Sequence, residues 1–120
     1  MYHVSRARFD YNLLDPWHPF EIDRINRPHL HKHLPTDDAG RRIAVGPEDI
    51  LDAYRDGDPS FYEPVDDRSE ADWLMLAYVP GIPVISVPLA APFSGNYRQC
   101  RPIGLDAAKS GDRKKYLRGE

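Results

Sequence analysis

The chain has 120 residues, of which 41% are apolar and 29% charged, and this bounds it to one globular domain with a modest core. One cysteine, Cys100, excludes an internal disulfide framework; with no signal peptide evident, a reducing, cytoplasmic setting is expected. The net charge of −3 is unevenly spread: residues 34–72 hold twelve acidic and four basic side chains, residues 73–94 none, and residues 95–120 seven basic and three acidic.

Twelve prolines argue for short elements and ordered loops rather than a helical bundle. Residues 1–19 hold Phe9, Tyr11, Leu13, Leu14 and Trp17 but are broken by Asp15-Pro16 and His18-Pro19, so they read as an extension packed on a domain spanning 20–120. Phe20-Glu21-Ile22 is a short strand candidate. In the following NRPHLHKHLP, Asn26 is placed to cap a helix that tolerates Pro28 in its first turn and stops before Pro35. After the loop TDDAG, Thr36–Gly40, the stretch VGPEDILDAYRDG has Pro47 at its start and Glu48 and Asp49 in the first turn. Gly57 follows its last turn, and Ile50, Leu51 and Tyr54 share an apolar face, which predicts a second helix.

The second half reads as β. The strands expected are Ser60–Glu63, Ala71–Val79, Ile82–Leu89 and Tyr97–Ile103, with turns at Pro80-Gly81 and Ser94-Gly95-Asn96. Both faces of Ala71–Val79 are apolar, so it is expected to be central. The uncharged run from Trp73 to Asn96 is broken by prolines and glycines, and reads as paired strands rather than a membrane span. Ser110 is placed to cap a short basic helix to Leu117. The expected fold is α+β: two helices on a three- to four-stranded antiparallel meander, with a short C-terminal helix.

The histidines of PHLHKHLP support different chemistry according to their backbone. On a strand, His29, His31 and His33 share one face; on a helix only His29 and His33 do. Two histidines begin a metal site but lack a third and fourth ligand, so no metal and no cofactor is expected. A single imidazole suffices for proton transfer, and Lys32 beside it suits phosphate. At the other end, RQCRPIG and DRKKYLR supply Arg98, Arg101, Arg113, Lys114, Lys115 and Arg118, and a guanidinium bonds two phosphate oxygens at once. The bland alternative is a solvated basic tail. Tyr116 suits stacking on a base or plain packing.

In order and spacing, FEID, INRPHLHKHL, EDILDAY and RPIGLDAAKSGDRKKY resemble the BrnT-type toxins of bacterial toxin–antitoxin systems. Asn26, His29, Leu30, Lys32 and His33 fall at the positions of that family's N-x-x-H-I-x-(K/R)-H motif. Arg101, Ile103, Ala108, Asp112, Arg113 and Tyr116 fall at those of its R-V-I-S-A-R-x-A-x-x-x-E-R-x-x-Y end. The resemblance implies a RelE-like fold, metal-independent cleavage of messenger RNA, and neutralisation by a cognate antitoxin. It also implies a homodimer or a toxin–antitoxin heterotetramer. On that reading His33 is the acid/base, with Lys32, Arg101 and Arg113 supplying phosphate charge. Arg98, Lys114, Lys115 and Tyr116 bind RNA. Asp106 stands where the family has a basic residue, which motivates an alternative, a catalytically inactive binding module on the same fold; a histidine-cluster metal protein is the third reading.

Overall fold

The computed structural model describes residues 8–35, 40–64, 70–78 and 81–119. Residues 1–7 (with His3), most of the TDDAG loop, the VDDR segment and Val79-Pro80 lie outside them. The fold is α+β, with antiparallel strand pairing throughout the named strands. A hairpin of β1 (Lys32–Pro35) and β2 (Arg42–Val45) precedes helix α1 (Pro47–Asp56). Strands β3 (Ser60–Tyr62), β4 (Trp73–Ala77), β5 (Ile85–Ala90) and β6 (Arg101–Pro102) form a meander in that spatial order. A fifth strand, β7 (Asp106–Ala107), also pairs with β5, and helix α2 (Ser110–Leu117) follows.

The second helix and the first three strands of the meander stand where the sequence places them, but the sheet has five strands rather than three or four. Gly46 precedes α1, and Asp49 folds back to accept the Gly46 N–H at 2.8 Å, satisfying a donor at the helix start. Ile50 and Ala53 turn inward, and Gly57 ends the helix by donating to the Ala53 carbonyl. Trp73, Met75 and Ala77 of β4 lie opposite Leu89, Val87 and Ile85 of β5, and these six residues form the sheet side of the core. Leu76, on the other face of β4, is buried as well, and α2 packs against that strand.

The expected helix over Asn26–Leu34 does not form. A single 3₁₀ turn, Arg27–Leu30, is followed directly by β1. Asn26 makes no side-chain cap, because its amide is used inward, accepting the Asp23 N–H and donating to the Glu21 and Pro102 carbonyls. Ser110 is the first residue of α2 rather than its cap, which falls to Lys109 without a side-chain bond. Phe20-Glu21-Ile22 forms no strand, only one parallel bridge from Phe20 to Cys100.

The expected last strand is also divided. Leu89 faces Pro102 and Ser86 faces Asp106, so three steps along β5 match four along its neighbour. The extra residue makes a bulge between β6 and β7. Its cause is Pro88, whose carbonyl accepts from Ile103 on this side of β5 and whose missing N–H therefore faces the same side.

Residues 8–19, though largely on the surface, contribute side chains to the core. Phe9 and Leu14 are buried in it, Tyr11 stacks on Phe61 with centroids 4.4 Å apart, and the Trp73 indole donates to the Phe9 carbonyl.

Candidate functional site

The sequence-predicted site residues are distributed over three places. The first is the exposed side of β1. Strand alternation puts His31 and His33 on one face and Lys32 and Leu34 on the other, and of these only Leu34 is buried. His29 stands on the 3₁₀ turn, so the pair that shares a face is His31 and His33, not the His29 and His33 of a helix. The His31 ring lies over Gly46, where an added Cβ would come within 3.2 Å of it. Strand β1 runs beside β7, which ends two residues short of α2. Among the described residues no group of three histidine, cysteine or acidic side chains is placed to hold a metal ion.

The second place is α2. Arg113, Lys114 and Lys115 are exposed, as are Lys109 before the helix and Arg118 after it. Among the described residues no carboxylate lies within ion-pair distance of Lys109, Arg113 or Lys114. Lys115 lies over the Tyr62 ring, 4.7 Å from its centroid. Tyr116 holds the helix down: its hydroxyl donates toward the carbonyls of Gly57 at 2.8 Å and Asp58 at 3.0 Å. Burial pushes its phenol pKa up.

The third place is Arg101, and there the chemistry differs from the expected phosphate clamp. Arg101 is 2% exposed. Its guanidinium forks onto Asp23 with bonds of 2.7 and 2.9 Å and reaches Glu21 at 3.1 Å. The Phe93 ring covers it, 3.9 Å from the guanidinium carbon to the centroid. Asp23 also accepts the N–H groups of Ile25 and Asn26, and Glu21 accepts those of Phe93 and Ser94. The Arg101 bonds, ahead of these backbone donors, hold the Asp23 carboxyl well below its ordinary range. For Glu21, burial pushes upward, but the Phe93 and Ser94 N–H groups and Arg101 together outweigh it and leave the carboxyl lowered. Arg101 thus joins FEID, the Asp23–Asn26 turn and the 92–95 turn into one unit. Sequence reasoning passed over Glu21, Asp23 and Phe93 as a site; two acids two apart, followed by an asparagine, were the available signal.

Arg98 and Cys100 flank this unit. The Arg98 carbonyl accepts from Asp15, its side chain is exposed, and it lies in the field of the Asp15 carboxylate. Cys100 is buried, and burial pushes its thiol pKa far up, so it is no nucleophile. Asp106 is exposed on β7 and its carboxylate accepts the adjacent Ala107 N–H. No helix among the described residues is long and apolar enough to cross a membrane. Comparison with protein families, with curated proteins and with solved structures finds no match to this chain.

Proposed function

We propose that this chain is an RNA-binding module of the RelE-like type it resembles, engaging the phosphate backbone through α2 without cleaving it. The observation that carries the reading is the contrast between its cations. Arg101, which a phosphate-clamping site needs, is buried against two carboxylates, whereas Lys109, Arg113 and Lys114 are exposed and unpaired among the described residues. Exposed cations on one short helix suit backbone contacts that carry no base specificity. Asp106, exposed just before that helix, opposes the build-up of negative charge that a phosphorane transition state requires.

A titration of single-stranded RNA into the purified chain at several salt concentrations tests this. Replacing Lys109, Arg113 and Lys114 by alanine is expected to weaken binding and to lower the salt slope by about 0.7 per lost contact. Equal affinity and slope in the triple variant would remove the reading.

The second reading is the metal-independent ribonuclease toxin. What favours it is the exposed pair of His33, on β1, and His31 just before it; β1 runs beside β7, the element leading into α2 and Arg113. It requires that induced expression arrest bacterial growth, that His33→Ala relieve the arrest, and that a small antitoxin protein restore growth. Binding without arrest or cleavage supports the module.

A further inference from the structure

We infer that the face formed by residues 13–27 and 92–99 is a stacking platform for the bases of single-stranded RNA, a proposal that rests on the RNA-binding reading and adds how unpaired bases are held. Two exposed aromatic rings there each stand against an arginine. Phe93 is 72% exposed although the buried Arg101 guanidinium carbon lies 3.9 Å from its ring centroid, so one face is covered and the other is open to solvent. Trp17 is 66% exposed with the Arg55 guanidinium 4.5 Å from its ring centroid. Large apolar rings left in water call for an explanation, and here a cation stands over each ring, the buried Arg101 on Phe93 and the exposed Arg55 on Trp17, and holds its orientation.

The two loops that carry the rings are bonded to each other. Asp15 donates to the Arg98 carbonyl, Glu21 accepts from Phe93 and Ser94, and the Gln99 amide donates to the His18 carbonyl. Trp17 and Phe93 therefore belong to one built surface, on which Tyr97 is also 67% exposed. Its charge complements nucleic acid. Arg24, Arg27 and Arg98 are exposed along it; of its carboxylates, Glu21 and the partly exposed Asp23 are paired with Arg101, and Asp15 accepts the Trp17 and His18 N–H groups near Arg98. Flat, open aromatic faces among arginines are what unpaired bases recognise, since every base has a π face to stack. A duplex, with its bases already stacked on one another, has none to offer.

Trp17 makes the test direct. The chain has two tryptophans, so Trp73→Phe leaves Trp17 as the reporter. Titrating this variant with an oligouridylate is expected to quench its fluorescence, and a duplex RNA of the same length is expected to leave it unchanged. In the parent chain Phe93→Ala is expected to weaken oligouridylate binding about tenfold, with the salt slope kept, and Phe93→Trp to restore it. Urea denaturation of each variant, which loss of the Arg101 pairing would shift, verifies that its loops are still held. The α2 triple variant should lose salt slope yet still quench at saturation. If oligouridylate binds without quenching, or Phe93→Ala and Trp17→Ala bind as the parent does, the platform is overturned while the α2 reading stands. If no RNA binds the parent chain, both fail. A protein that occupies this face instead would be recognised by binding that Phe93→Ala abolishes while oligouridylate does not compete; that outcome also overturns the proposal.

Discussion

Arg101 decides most at the scale of single residues. A guanidinium at the sheet edge is buried only because two carboxylates, themselves held by four backbone N–H groups, converge on it, and removing it strands those carboxylates. Arg101→Ala is expected to cost about 3 kcal/mol, the lower end for a broken buried pair because Asp23 keeps partial contact with water. Arg101→Lys keeps the charge but loses the fork onto two oxygens, and should cost about 1.5 kcal/mol. Urea denaturation reads both. The same carboxylates set an acid limit. Folded Asp23 and Glu21 bind protons at lower pH than they do in the unfolded chain, so their contribution is complete above about pH 5 and declines as the pH falls below it. Denaturation midpoints at pH 7, 5 and 3.5 should show this decline, and Arg101→Ala should flatten it. An equally steep decline in Arg101→Ala would show that other carboxylates govern it.

At the scale of elements, the junction at Gly57 ties α1, β4 and α2 together. Its N–H ends α1, and its carbonyl accepts from both the Tyr78 N–H and the Tyr116 hydroxyl. A Cβ there would lie 2.5 Å from the Ala53 carbonyl oxygen and 2.8 Å from that of Tyr78, and backbone has no room to yield. Gly57→Ala is therefore expected to cost about 2–3 kcal/mol. Tyr116→Phe, which releases only α2, should cost about 1 kcal/mol and speed hydrogen exchange in that helix alone. These elements were legible in the sequence because local signals agreed: acid and proline at the start of α1, glycine at its end, apolar alternation in β4 and β5. PHLHKHLP was not, because its signals conflict. Leu30 and Leu34 are both buried, as a helix face requires, yet a turn leading into a strand buries the same two residues. What settles it is Asn26, whose side chain is drawn toward Pro102, a partner 76 residues away that no local pattern reveals. The bulge before β7 follows from Pro88, but only once the register is known.

At the scale of the molecule, the N-terminal segment is a structural member rather than a cover. Burial of Phe9 and Leu14 contributes about 1.5–3 kcal/mol each. Removing residues 1–14 should therefore take away much of a total stability that is ordinarily about 5–15 kcal/mol. The check is whether the truncated chain keeps a cooperative thermal transition; a sharp transition near the full-length midpoint would mean the segment is dispensable. The contacts of this segment and of the residues just after it reach far along the chain: Arg8 to Asp72, Phe9 to Trp73, Glu21 to Arg101, Asn26 to Pro102. Their consequence concerns the order of synthesis. Phe9 and Leu14 leave a ribosome before the strands they pack against are made, and the Arg101 fork closes only once residue 101 has followed residues 21–23 by nearly eighty positions. The earlier segment must wait for the later one, and during that wait its apolar side chains are open to chaperones, to proteases and to other copies of itself.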